Sequence, residues 1–264
     1  EEIEKKRDKL IYISMGTVNN DMLPFYKTCI SALRNTDYQV IMSVGNLVSI
    51  RDFGELPENV SFAQGALCEP LGVALGTLEK TGAKYGDTCL IMGAGSIGLC
   101  MLAAAKAMGL KEIVVVATTD KRLGIAREMG AVRTIASKNE DVMEVMKQLR
   151  PNGTDIVIDA TGIEECIQQC LKLTRKGGTF ALAGYGRGKV MSIRIDDIHI
   201  NNLRVVGAGN NWNQHKKAVT MMADGSVNIE RFVTNKIKLE EFQLGLDLAR
   251  TRPEGFVKAV FCDE

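Results

Sequence analysis

The sequence is poor in aromatic residues, in histidine and in net charge. Phe, Trp and Tyr make up 5% of its 264 residues, and there is one Trp. The two histidines, His199 and His215, are too few for a multi-histidine metal centre. Lys and Arg number 33 against 32 Asp and Glu, a net charge of +1. Without a basic excess to neutralise phosphates, no nucleic-acid partner is expected. No apolar run approaches the ~18 residues that span a bilayer, so no membrane partner is expected either. No Cys-x-x-Cys pair occurs. The seven cysteines are odd in number and lie partly in apolar stretches. That pattern fits reduced thiols in a cytoplasmic protein better than a disulfide frame. The first residues, Glu-Glu-Ile-Glu-Lys-Lys, lack the apolar core of a secretory signal.

What is present is ordinary globular material: 45% hydrophobic, 25% charged, with 26 glycines. At ~100–200 residues per domain, the length allows one large domain or two modest ones. Lys9–Val18 (KLIYISMGTV) alternates and is β-branched, which predicts a strand ending in a Gly turn. Leu23, Tyr26, Ile30 and Leu33 follow at helical spacing, and Tyr38–Val44 reads as a second strand. Strand, helix and strand in that order predict a parallel pair joined by a right-handed crossover. Asn59–Ala63 reads as a short third strand.

After Gln64 the texture changes. A small-residue helix is expected over Ala66–Leu78, then a buried-type strand over Thr88–Met92 (TCLIM). Helices are expected at Leu99–Met108, Lys121–Met129, Asp141–Leu149, Glu164–Leu173 and Leu239–Ala249. Strands are expected at Glu112–Val116, Asp155–Asp159, Thr179–Ala183, Leu203–Gly207 and Val257–Phe261. Such alternation means an α/β fold with a doubly wound, Rossmann-like parallel sheet, preceded by the N-terminal βαβ unit.

The spacing Gly93-x-Gly95-x-x-Gly98 lies between the TCLIM strand and the Ala-rich helix. Gly93 allows a tight turn. Gly95 has no Cβ and lets a pyrophosphate approach the backbone. Gly98 lets the helix pack close to the strand. Ser96 and Ile97 head the helix, where free N–H groups and the helix dipole favour phosphates. The loop is therefore a candidate dinucleotide site.

About 20 residues beyond such a loop, an NAD site carries an acidic residue for the ribose 2′-hydroxyl. Here that place holds Ala117, followed by Thr118, Thr119, Lys121 and Arg122. Small hydroxyls with a guanidinium suit a 2′-phosphate, so NADP is preferred over NAD. If the strand runs further than Ala117, Asp120 becomes the ribose ligand and NAD is favoured. Asp159 ends a strand at the carboxyl edge, either beside the cofactor or as a helix cap.

Residues 64–264 resemble the zinc-type medium-chain dehydrogenases, especially the sorbitol-like and threonine dehydrogenase branch. The stretches that carry the resemblance are Ala66–Leu78 (ALCEPLGVALGTL), Gly86–Leu99 (GDTCLIMGAGSIGL), Arg122–Val132 (RLGIAREMGAV), Asp155–Gly162 (DIVIDATG), Lys176–Gly184 (KGGTFALAG) and Ser226–Val260. The resemblance implies a nicotinamide cofactor and hydride transfer to or from a small alcohol, polyol or ketone. It places Thr161 along the cofactor and Gly207 near the nicotinamide, and it implies self-association through the sheet edge. It also makes Glu69 a candidate metal ligand. Glu69 and Cys68 are at most two donors where a catalytic zinc takes three, so zinc is not expected.

Residues 1–63 resemble instead part of the nucleotide-sugar-binding domain of macrolide-type glycosyltransferases. The matching stretches are Leu10–Val18 (LIYISMGTV), Phe25–Leu33 (FYKTCISAL), Val40–Gly45 (VIMSVG) and Gly54–Gln64 (GELPENVSFAQ). That resemblance would turn Ser14, Gly16 and Thr17 toward donor phosphates. The expected organisation is thus a fusion. It comprises a glycosyltransferase-like fragment at 1–63, a dinucleotide-binding domain at 64–228 and a helix–strand tail at 229–264. The dehydrogenase part lacks the zinc catalytic domain that would precede it, and no catalytic residue is assigned. Two other outcomes stay open: a dinucleotide-binding module without turnover, and a nucleotide-sugar-binding remnant.

Overall fold

Strands and helices alternate through the described residues of a computed structural model, which are 9–14, 23–33, 38–43, 57, 59–209 and 214–262. By proximity the chain divides into two compact units, residues 1–69 with 212–264, and residues 70–211.

The first unit begins with β1 (Lys9–Ser14), α1 (Leu23–Leu33) and β2 (Tyr38–Ser43). The two strands run parallel, from Lys9 opposite Tyr38 to Ser14 opposite Ser43. α1 buries Phe25, Tyr26 and Leu33, a stripe at helical spacing. Asn59–Ala63 is not a strand. The chain turns there and enters α2 (Phe62–Gly65). The reason is a reciprocal cap. Gln64 N donates to Ser61 Oγ at 3.1 Å, and Ser61 N donates to Gln64 Oε1 at 2.9 Å. α3 (Cys68–Thr81) follows, with Pro70 in its first turn, where a missing N–H costs nothing.

The second unit holds β3 (Thr88–Met92), α4 (Ser96–Ala107), β4 (Lys111–Ala117), α5 (Asp120–Glu128), β5 (Arg133–Ala136) and α6 (Val142–Leu149). These are followed by β6 (Thr154–Asp159), α7 (Glu164–Leu173), β7 (Thr174–Leu182), α8 (Ile195–Ile200) and β8 (Arg204–Gly207). The six strands form one sheet in the order β5-β4-β3-β6-β7-β8, with every pairing parallel. Chain order runs outward from β3 in one direction, then resumes at β6 in the other. The sheet's switch point therefore lies between β3 and β6, where ligands bind in such sheets. Leu90 and Met92 join Val116, Val157, Phe180 and Ile167 in one core cluster. Cys89 and Ile91 alternate to the opposite face and are equally buried. Both faces are covered, which is why TCLIM is a continuous apolar run.

The chain then adds α9 (Gln214–Ala223), β9 (Val233–Ile237), α10 (Phe242–Thr251) and β10 (Lys258–Phe261) to the first unit. β9 and β10 pair in parallel. Val260 and Cys262 are buried against Ala63, with Val233 packed alongside. All seven cysteines are free thiols. Among the described residues, no helix is long and apolar enough to cross a membrane.

At the amino end of the six-stranded sheet, Asp155 ties three strands together. Its carboxylate accepts from Thr88 N at 2.9 Å, from Thr88 Oγ1 at 2.5 Å and from Arg175 Nε at 2.6 Å. Burial works to raise its pKa, but the bonds from Thr88 and Arg175 and the Arg175 charge prevail and hold it at about 2. A depressed carboxylate stabilises the fold above its unfolded pKa of ~3.9, and that stabilisation is lost as pH falls toward the folded value. Asp155→Ala should therefore cost about 1–3 kcal/mol in urea melts near pH 6. The gap between wild type and variant should narrow by about pH 3; a gap that stays constant would contradict the assignment.

Candidate functional site

The turn after β3 is built by close approach. Gly93 has φ +108°, and its N–H donates to Val116 O at 2.8 Å. A Cβ placed there would lie 2.9 Å from Thr161 Cγ2 and 3.3 Å from the Ala160 carbonyl carbon. A Cβ on Gly98 would lie 1.8 Å from Gly93 O, inside the turn's own backbone. Gly95 differs: a Cβ there would meet nothing within 4 Å. It is the N-cap of α4 in extended conformation, and no side chain caps the helix. Ser96 and Ile97, half-buried, open the first turn. Their N–H groups have no intrahelical acceptor, as in the first turn of any α-helix. The geometry leaves a space lined by backbone donors at one end of a helix whose residues Gly98–Ala105 are all buried.

One strand away, β4 ends at the buried Ala117. The carbonyl of Ala117 accepts from Ser137 N at 3.0 Å. Thr118 is exposed, and Thr119 is the N-cap of α5. Thr119 Oγ1 is buried without a hydrogen-bond partner, although an N-cap hydroxyl ordinarily accepts from its helix. Asp120 is already the first residue of the helix and exposed, while Arg122 is half-buried in its first turn.

On the other side of the switch point, β6 ends at Asp159, which is 0% exposed. Its Oδ1 accepts from Thr161 N at 3.0 Å and Thr161 Oγ1 at 2.6 Å, and its Oδ2 accepts from Gly162 N at 3.0 Å. Its carbonyl accepts from Ala183 N and Gly184 N at 2.8 and 2.9 Å. Gly207 ends β8, opposite Leu182, and its α-carbon faces open space. The carboxyl ends of β3, β4, β6, β7 and β8 thus share one edge. Thr161 touches the Gly93 turn directly, Ala117–Arg122 lie one strand to one side, and Gly207 lies three strands to the other. Pattern reading missed the knot formed by Asp159, Gly162 and Gly184. Its signal was the pairing of a strand-end Asp in DATG with the glycine of LAG.

Glu69 lies in the first turn of α3, in the first unit, half-buried. Burial pushes its carboxyl pKa up, and the Lys258 charge pulls it down. The neighbouring Cys68 points its thiol to His215 O at 3.4 Å, and burial pushes its pKa well up. A catalytic zinc takes three protein ligands, and Glu69 with Cys68 supplies at most two. Among the described residues, no three His, Cys, Asp or Glu side chains gather into a metal-binding group. His199 is exposed on α8.

Residues 96–224 match the profile of the zinc-binding dehydrogenase family. Sorbitol dehydrogenase of Bos taurus is 35% identical over 190 residues, which cover 71% of this chain and 53% of that protein. A Sinorhizobium meliloti 1021 protein described as a zinc-binding dehydrogenase, in a structure bound to NADP, is 31% identical with a TM-score of 0.69. That match covers 74% of this chain and 57% of the other. The 2R,3R-butanediol dehydrogenase of Bacillus subtilis is 27% identical with a TM-score of 0.73, covering 81% and 62%. The chain spans about half the length of the curated relatives it matches. A parallel sheet with its switch point at a glycine turn is thus similar, in sequence and in structure, to the Rossmann part of zinc-type medium-chain dehydrogenases.

Proposed function

We propose that this chain is the cofactor-binding half of an NAD(P)-dependent polyol or alcohol dehydrogenase, and that the dinucleotide lies along the carboxyl edge of the six-stranded sheet. The observation that carries this is the contrast among the three glycines: two are closed by neighbouring backbone or side chain, and Gly95 alone faces open space. Ser96, Ile97 and the glycine backbone would hold the pyrophosphate. Thr161 and Gly207 would flank the nicotinamide half, and Ala117, Thr118, Thr119 and Arg122 the adenosine ribose. The bound nicotinamide would supply hydride transfer with a small alcohol, polyol or ketone as substrate. The reading is supported by the relatives named sorbitol and butanediol dehydrogenase. Gly95→Ala should melt within about 2 °C of wild type yet bind dinucleotide at least about tenfold more weakly by titration calorimetry. Gly98→Ala should lose both fold stability and binding. Unchanged affinity in Gly95→Ala would remove the glycine turn from the site.

Within that site NADP is preferred over NAD. The end of β4 at Ala117, without a carboxylate, supports this, as do the unpartnered Thr119 hydroxyl and the nearby Arg122. NADPH should bind more tightly than NADH. Arg122→Ala should weaken NADPH by about 1.5–3 kcal/mol, roughly ten- to a hundredfold, and leave NADH nearly unchanged. Tighter NADH would reverse the preference. The site carries no zinc in this reading. The free thiols suit a cytoplasmic location, and the edge strand β8 would serve self-association. Absence of alcohol-dependent NADP reduction in a chain that binds NADPH would make it a binding module without turnover.

A second reading concerns the N-terminus. The parallel β1–α1–β2 arrangement favours a nucleotide-sugar-binding remnant, fused to the dehydrogenase part near Phe62–Gly65. The boundaries 1–63, 64–228 and 229–264 describe that organisation. Ser14 ends β1, while Gly16 and Thr17 lie outside the described residues. Binding of a nucleotide sugar that NADPH does not displace would support this reading; no binding at about millimolar ligand would remove it.

A further inference from the structure

Asp159 is a fully buried carboxylate at the switch point, and the reading above gives it no part. Both of its oxygens turn back into its own loop, to Thr161 N, Thr161 Oγ1 and Gly162 N. The Thr161 hydroxyl, donating to Asp159, also accepts from Ile163 N at 3.1 Å. The side chain of Thr161 is thereby held from both sides, and its Cγ2 stands 2.9 Å from where a Cβ on Gly93 would be.

The loop is also fixed from β7. Gly162 has φ +67°, and a Cβ there would lie 2.4 Å from Tyr185 O. A Cβ on Gly184 would lie 2.0 Å from Gly162 N and 2.6 Å from Asp159 Oδ2. The segments that follow β6 and β7 are therefore packed backbone to backbone beside one carboxylate, and the Gly93 turn packs on Thr161 and Ala160 of the same loop. A buried acceptor with three donors specifies a single loop conformation, because any other would leave polar groups unpaired.

We propose that Asp159 is a positioning residue for the dinucleotide: through Thr161 it sets the wall against which the Gly93–Gly98 turn closes, and so fixes where the pyrophosphate sits. The inference rests on the dinucleotide reading. Asp159→Asn keeps the size but places an amide N–H₂ against a loop donor, so one hydrogen bond becomes a repulsion. The loop moves and the wall moves with it.

The test separates the two ends of the cofactor. NADPH and adenosine 2′-monophosphate, which lacks the pyrophosphate, are titrated into wild type and Asp159→Asn, with thermal melts of each. The expected result is at least about tenfold weaker NADPH binding, with the adenosine 2′-monophosphate affinity within about threefold of wild type. Thr161→Val, which keeps the methyl and removes the hydroxyl, should show the same split. In that background Asp159→Asn should add less than about twofold, because both changes break one link. If Asp159→Asn does not fold, Asp159→Ser, which keeps a hydroxyl acceptor for the loop, is titrated in its place and its split decides. Equal loss of both ligands, no loss of NADPH, or full additivity of the two substitutions would overturn the proposal. Wild type that binds neither ligand would instead overturn the dinucleotide reading itself.

Discussion

The backbone contact between Gly98 and the Gly93 carbonyl is what the second unit is organised around. It lets α4 lie close enough to β3 for Gly98 through Ala105 to be buried without a break. The helix meets the turn through Gly98, while Leu99, Met101 and Leu102 are among the largest fully buried side chains of the protein. The same contact fixes the direction of the helix axis. The free N–H groups of its first turn then lie at the carboxyl edge of the sheet, at the strand where chain order reverses. Helix packing and the placement of those N–H groups are thus two consequences of one close approach. The residue between the packed glycines, Gly95, is the one that packing leaves uncovered.

The site edge also has an electrostatic problem. A buried carboxylate one strand from a proposed pyrophosphate would repel it if its charge faced outward. Asp159 avoids this because its oxygens are engaged by two N–H groups and a hydroxyl of its own loop. The donors neutralise it locally, and the surface above is left to the backbone of the glycine turn. Asp155, at the opposite edge of the same strand, meets its charge differently. There Arg175, half in solvent, supplies the counter-charge. One strand thus carries two acidic residues with unlike surroundings, one satisfied by loop dipoles and one by a cation.

How far the sequence revealed this depends on how local each cause is. TCLIM was legible to the residue because a strand buried on both faces is a continuous apolar run with glycine after it. The EECIQQCLKL helix was equally plain, from its spacing and its acidic first turn. β5 escaped notice because RTIA is four residues long and half polar, and only pairing with β4 makes it a strand. The start of β7 at Thr174 was hidden behind Gly177 and Gly178, which pattern reading takes for a turn. Asn59–Ala63 alternates like a strand, yet the Ser61–Gln64 cap, readable three residues apart, outweighs that short alternation.

The candidate site divides in the same way. The glycine turn is local, since strand, turn and helix are consecutive, so spacing alone locates it. The end of β4 is nearly local and depended on strand length; the pairing of Ala117 with Ala136, the last step of the ladder, puts that end at Ala117. The role of Asp159 is not local at all. It needs Gly184, 25 positions further along the chain, to come within van der Waals reach of Gly162, and only the parallel register of β6 with β7 brings them together. A strand-end aspartate with a glycine three residues later looks like an ordinary cap. What makes it more is a second glycine from beyond the neighbouring strand, because two backbones without side chains can close over a carboxylate whose oxygens already take three donors from its own loop.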